Sequence, residues 1–255
     1  MALPKDMIEL PSPNFNERKA PPDMAVLHYT GMPSAREALD RLTDPAAQVS
    51  SHYCVDEDGT VYRLVPEERR AWHAGVSFWR GETDINAVSI GIEIVNPGHE
   101  FGYRDFPPAQ VDAVIALLDD MRGRWDIPDS RILGHSDVAP ARKIDPGERF
   151  PWKTLAEHDH GVWVEPALPP EGTMGLALGL GDTGPGVFAL QAALAKLGYN
   201  LLPGGPYDEE TAAIVTAFQR HWCPEDIATA AEGRADARVR VRLMALLRYI
   251  ALMEA

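Results

Sequence analysis

Ser89-Ile90-Gly91-Ile92-Glu93-Ile94-Val95 is the stretch on which the reading of the fold turns. Successive side chains of a strand point to opposite faces, so the isoleucines at 90, 92 and 94 share one face. Ser89, Gly91, Glu93 and Val95 share the other. The segment Val88–Val95 reads as a strand, and a carboxylate within it is costly to bury unless a donor or a positive charge faces it. A metal or water at a metal would be such a partner; an arginine in a structural ion pair would be another.

Outward from this strand, Met24-Ala-Val-Leu-His-Tyr29, ended by Gly31, reads as a second buried strand. Residues 34–42 suit a short helix, with Ser34 as N-cap and Glu37 three residues on. Val49–Val55 and Thr60–Val65 flank Asp56-Glu-Asp-Gly59, which is a hairpin signal. Pro108–Arg124 is an amphipathic helix with Val111, Val114, Ile115, Leu118 and Met121 on one face. Strands and helices alternate through about residue 160, which predicts an α/β domain over 1–163 with a central sheet. Its first 23 residues, rich in proline and polar side chains, read as an arm lying on the surface.

From Val164 to Gly175 the composition shifts to Pro, Gly and Glu, which reads as a linker over 164–175. Three helical stripes follow within 176–255: Val187, Leu190, Leu194 and Leu197; Ile214, Val215, Phe218 and Trp222; Val239, Leu243, Leu246, Leu247 and Ile250. Three short amphipathic helices are expected to bury these stripes against one another, as a small second domain. Asp208, followed by Glu209 and Glu210, supplies the second helix with a cap and favourable charge.

The chain has 255 residues, 45% of them apolar, and a formal net charge of −14. That acidity argues against a nucleic-acid or anionic-membrane partner, since both need basic surface. No stretch approaches about 20 uninterrupted apolar residues, so no membrane-spanning helix is expected. The first 24 residues lack the apolar run of a signal peptide, and the expectation is a cytoplasmic protein. Its two cysteines, Cys54 and Cys223, fall in different parts of the chain and form no disulfide framework.

Two of the eight histidines stand out by position. His28 ends the first buried strand, where ligands of α/β sheets gather. His135 lies in Gly134-His-Ser-Asp-Val-Ala-Pro140, and Asp145 follows in Lys143-Ile-Asp-Pro-Gly147. Two imidazoles and a carboxylate leave a tetrahedral zinc one open position. His158-Asp-His160, by contrast, lacks a further ligand and reads as a solvated loop. His52 and Cys54 share a strand face, but without an orienting third group the cysteine reads as a small buried apolar residue.

These motifs resemble a known family. HYTG at 28–31, SHYCVDEDGTVYRLVPEERRAWHAG at 51–75, NAVSIGIEIVN at 86–96 and GHSDVAPARKIDPG at 134–147 are similar, in this order, to the type-2 N-acetylmuramoyl-L-alanine amidases of the AmpD/AmiD kind. The resemblance runs through most of residues 24–160. It implies a mixed β-sheet flanked by helices, with Zn2+ at one sheet end held by His28, His135 and Asp145. It further implies Glu93 as catalytic glutamate, Lys143 as catalytic lysine, and Trp72, His73, Asn86 and Arg142 as substrate-groove residues. His52 matches a family position as well and reads as structural.

Residues 176–255 resemble a three-helix peptidoglycan-binding domain through LGDTG at 180–184, VFALQAAL at 187–194 and GPYDEET at 205–211. The usual second turn is degraded at Glu232-Gly-Arg-Ala-Asp236, which leaves open whether this domain binds glycan or only packs. The implied reaction is hydrolysis of the amide between the lactyl group of N-acetylmuramic acid and L-alanine, with 1,6-anhydro-muropeptides as the expected substrates of a cytoplasmic enzyme. A non-catalytic muropeptide-recognition protein on the same fold and a hydrolase using Cys54 are the alternatives; the oligomeric state stays open.

Overall fold

The computed structural model describes residues 7–170, 175–229 and 231–254, so positions 1–6 of the expected arm and 171–174 of the expected linker lie outside it. Among the described residues eight strands are formed: β1 Ile8–Glu9, β2 Phe15–Glu17, β3 Met24–Tyr29, β4 Tyr53–Val55, β5 Val61–Arg63, β6 Arg69–Ala71, β7 Ser89–Ile94 and β8 Ile132–Gly134. The helices of the first part are α1 Ala35–Thr43, α2 Ile85–Val88, α3 Gly98–Phe101, α4 Pro108–Arg122, α5 His135–Val138 and α6 Trp152–Glu157. Those of the second are α7 Pro185–Leu197, α8 Glu209–Trp222, α9 Pro224–Ala228 and α10 Ala237–Met253. None of these helices is long and apolar enough to cross a membrane.

Six strands make one mixed sheet in the order β1-β5-β4-β7-β3-β8. The pair β4–β5 is antiparallel, whereas β7 runs parallel to both β3 and β4, and β8 parallel to β3. Ile90, Ile92 and Ile94 of β7 pack on the stripe of α4, including Val111, Val114, Ile115, Leu118 and Met121. The period-2 and period-3.6 readings thus meet in one apolar layer. Ser34 caps α1 as expected, its hydroxyl accepting from the Glu37 amide; such a cap contributes about 1 kcal/mol. The hairpin turn is tight because Gly59, at φ +88°, runs against α4: a Cβ there would stand 2.8 Å from the Ala109 carbonyl oxygen.

The N-terminal arm does more than lie on the surface. β1 adds to the sheet edge alongside β5, and β2 pairs with β6 in a second, two-stranded sheet. Ser12 and Asn14 are buried, and Asn14 Nδ2 donates to the carbonyls of Asp44 and Val49. Polar composition concealed this, because edge pairing uses backbone groups and is indifferent to side-chain polarity.

The apolar stripes of α7, α8 and α10 are buried as expected, except that Leu247 of α10 is half-buried. They are not buried only against one another. Val187, Leu194, Val215 and Leu243 belong to one continuous cluster with Met24 and Val26 of β3, Leu133 of β8, and Trp79. The helical region therefore covers the sheet face opposite α4. Asp208 and Asp236 cap α8 and α10 through the amides of Thr211 and Val239.

Candidate metal centre

Strand register assembles the site. His28 of β3 is level with Glu93 of β7, and Leu27 is level with Gly134 of β8, so His135 follows one step beyond the sheet. All three strands are parallel, which brings His28, Glu93 and His135 to one sheet end. Asp145 comes from the loop after α5, where the Ser136 amide donates to the Asp145 carbonyl at 2.9 Å. Oδ2 of Asp145 lies 3.1 Å from Nδ1 of His28 and 3.0 Å from Nδ1 of His135, and the two nitrogens are 2.9 Å apart.

The hydrogen bonds behind these atoms fix which nitrogens carry protons. Ser89 Oγ donates to the Ile85 carbonyl at 2.6 Å, so it accepts from Nε2 of His73 at 3.2 Å. Nδ1 of His73 is then a bare acceptor and takes the Nε2–H of His28 at 3.0 Å. His135 Nε2 donates to the Ala74 carbonyl, also at 3.0 Å. A neutral imidazole has one N–H, so in neutral rings Nδ1 of both His28 and His135 is unprotonated. Burial, with His135 adding to it, pushes His28 down to about 4, so this ring is neutral at pH 7.

With both rings neutral, three lone-pair donors face one another with no proton between them. That is repulsive unless a cation joins them. A tetrahedral zinc with bonds of about 2.0–2.1 Å separates its ligands by about 3.3 Å, so the triangle has the size and the donor chemistry for that ion. Among the described residues these three make the one set of His, Cys, Asp or Glu groups close enough to hold a metal.

Glu93 and Lys143 border the same cavity of about 420 Å³, together with His28, His135 and Asp145. Burial, reinforced by the Asp145 carboxylate and opposed by Lys143, pushes Glu93 well above the usual carboxylate range. Its Oε2 is buried without a hydrogen-bond partner among the described residues. No arginine pairs with Glu93 among them, so the structural ion pair is not seen.

Trp72, His73 and Arg142 also line the cavity. Arg142 spends one guanidinium nitrogen on the carbonyls of Ala74 and Val76. Asn86 is placed differently: it is buried behind the wall, where its Oδ1 accepts from the amides of His73 and Ala74 at 3.0 and 2.7 Å. It orients the turn rather than facing the cavity. The pattern alone did not single out Ser89 as the end of the His28–His73 chain, nor Arg41 of α1 as a lining residue. Ser89 was legible only as a polar residue on the Glu93 face. A Cβ at Gly91 would overlap the His73 ring, which explains the glycine between Ser89 and Glu93.

His52 is a structural residue here. Its Nδ1 accepts from the Gly91 amide at 2.9 Å, and its Nε2 lies 3.0 Å from the Arg69 carbonyl. The Cys54 thiol is buried, and burial with Glu93 nearby pushes it well above its ordinary value, which disfavours the thiolate that nucleophilic attack needs. His158 is exposed, but His160 departs from the solvated-loop reading: it is buried, 3.1 Å from Asp119.

Comparison with known proteins bears on this geometry. Residues 18–148 match the family described as N-acetylmuramoyl-L-alanine amidase, and residues 183–225 match the one described as "Putative peptidoglycan binding domain". N-acetylmuramoyl-L-alanine amidase AmiD of Escherichia coli (strain K12) is 37% identical over 234 residues, covering 87% of this chain and 81% of its own length. 1,6-anhydro-N-acetylmuramyl-L-alanine amidase AmpD of the same organism is 35% identical over 56% of this chain and 86% of its own. A structure of E. coli AmiD with the substrate anhydro-N-acetylmuramic acid-L-Ala-D-gamma-Glu-L-Lys matches with a TM-score of 0.76 at 33% identity, over 92% of this chain and 98% of that one. The cavity at the end of β3, β7 and β8 accordingly lies within the matched catalytic region, and this chain belongs to the N-acetylmuramoyl-L-alanine amidase family, with a peptidoglycan-binding-type region behind its catalytic fold.

Proposed function

We propose that this enzyme hydrolyses, with zinc, the amide between the lactyl carbonyl of N-acetylmuramic acid and L-alanine, and that its substrates are 1,6-anhydro-muropeptides. The observation that carries the metal reading is the convergence of three unprotonated donors, His28 Nδ1, His135 Nδ1 and Asp145 Oδ2, within 3.1 Å of one another. The anhydro sugar is supported by the substrate seen with AmiD and by the name of AmpD. What the ion supplies when bound is Lewis acidity toward water and the scissile carbonyl at neutral pH.

The protein's own residues do the rest. Glu93 takes a proton from the attacking water as its oxygen bonds to the lactyl carbonyl carbon. Burial raises its affinity for a proton above that of an ordinary carboxylate, which suits a group that accepts a proton and then returns it. As the C–N bond breaks, Glu93 hands that proton to the alanine nitrogen, leaving a peptide amine and a lactyl carboxylic acid; the acid's own proton then passes to the amine, so the products leave as carboxylate and ammonium. The Lys143 ammonium, on the cavity wall, stabilises the developing oxyanion, a contribution of about 3–4 kcal/mol for such donors. His73 and Ser89 hold the His28 ring; Asn86 holds the turn that carries Trp72 and His73. Trp72 and Arg142 on the wall are the groups offered to the muropeptide.

Mass spectrometry of products from defined anhydro-muropeptides and from whole sacculi tests the substrate reading. Release of the intact stem peptide from soluble fragments, much faster than from sacculi, is expected. Preferential sacculus digestion would instead make the intact wall the substrate and residues 176–255 a working anchor.

A further inference from the structure

Asp137 lies two residues beyond His135 and is fully buried. One of its oxygens, Oδ2, accepts from the Gly134 amide at 2.7 Å, directly before His135. The same oxygen meets Nδ1 of His221 at 2.7 Å, and Oδ1 accepts from the Tyr199 hydroxyl at 3.2 Å. Both of these partners come from the helical region: His221 from α8 and Tyr199 from the turn after α7. Each is itself only 2% exposed. The His221 ring is stacked between two indoles, Trp152 of α6 and Trp222, with ring centroids 3.7 Å away on each side.

A buried carboxylate has to be fully satisfied to hold a single position. Here two of its three partners are supplied by a region that contributes no residue to the cavity lining. The turn they fasten is the one that carries His135, and its Ser136 amide also holds the Asp145 backbone. Partners behind metal ligands orient them, and losing one typically costs 10–100-fold in affinity.

We propose that His221 and Tyr199 are positioning residues for the metal centre, acting through Asp137 on the turn that presents His135 and Asp145. The peptidoglycan-binding-type region thereby serves the catalytic site as a structural brace, whatever glycan it binds. This inference rests on the zinc reading given above.

The test is zinc titration of the full-length, metal-free protein against a chromophoric chelator of known affinity, with thermal unfolding of the metal-free protein measured in parallel. His221→Phe keeps a ring between Trp152 and Trp222 but removes the donor; His221→Asn keeps an N–H near the Nδ1 position and loses the ring. Zinc affinity is expected to follow the donor, with about a 10–100-fold loss in His221→Phe and a smaller one in His221→Asn. Thermal stability is expected to follow the ring, in the opposite order. Tyr199→Phe, which removes one hydroxyl, is expected to weaken zinc several-fold and serves if His221→Phe does not fold. Unchanged zinc affinity in folded His221→Phe or Tyr199→Phe, or affinity that merely tracks unfolding temperature, overturns the proposal. A wild-type protein that binds no zinc overturns the metal reading, and this inference with it.

Discussion

Glu93 and Asp145 are both carboxylates at the same sheet end, and their surroundings divide their roles. Asp145 meets two imidazole nitrogens at 3.0 and 3.1 Å, whereas Glu93 has a buried oxygen with no partner among the described residues. Glu93→Ala is therefore expected to keep zinc and lose turnover by about a hundredfold or more, as a missing general base does. Asp145→Ala is expected to lose zinc affinity as well, read by metal content after dialysis. Zinc lost from Glu93→Ala but kept by Asp145→Ala would reverse the assignment. Residue types and positions in 28–31, 86–96 and 134–147 were enough to nominate these groups. The chain from His28 through His73 to Ser89 was not legible, because its members are 45 and 16 residues apart and meet only in the folded sheet. Asp137 escaped for the same reason, its partners lying 62 and 84 residues away.

At the scale of elements, alternation and capping were read directly. The isoleucines of β7, the stripe of α4 and the Ser34 cap all sit where periodicity puts them. Edge pairing of β1 and β2 was not, since it depends on backbone groups that every residue carries. The hairpin between β4 and β5 supplies a test of the local reading. Gly59 combines φ +88° with a backbone oxygen 2.8 Å from where a Cβ would stand. Gly59→Ala is expected to destabilise the protein by about 1–3 kcal/mol, seen as a lower urea midpoint with unchanged slope. An unchanged midpoint would mean that the turn and α4 can separate at little cost.

Across the whole molecule, the apolar cluster that joins β3 and β8 to α7, α8 and α10 makes the helical region part of the catalytic fold's packing. The Pro- and Gly-rich composition of 164–175 suggested separation, because composition reports on a connection and not on the faces it joins. Buried histidines contribute to the pH response of the same body. Burial and Arg18 push His52 down to about 3, and burial pushes His28 down to about 4. Both are neutral when folded but take up protons near pH 6.5 when unfolded, so stability present above pH 6.5 is lost as pH falls toward 4 and below. At about 1.4 kcal/mol per pKa unit, His52 alone accounts for a few kcal/mol, and the unfolding temperature of metal-free protein is expected to drop steadily over that interval. A flat profile from pH 7 to 4 would show that these rings take up protons in the folded protein as readily as in the unfolded chain. The measurement that bears most directly on the central claim is zinc content set against hydrolysis of a defined anhydro-muropeptide, before and after chelation and on zinc return. One zinc per chain, no stem peptide released from the metal-free protein, and recovery with zinc are expected; full activity in a demonstrably metal-free sample would contradict zinc dependence.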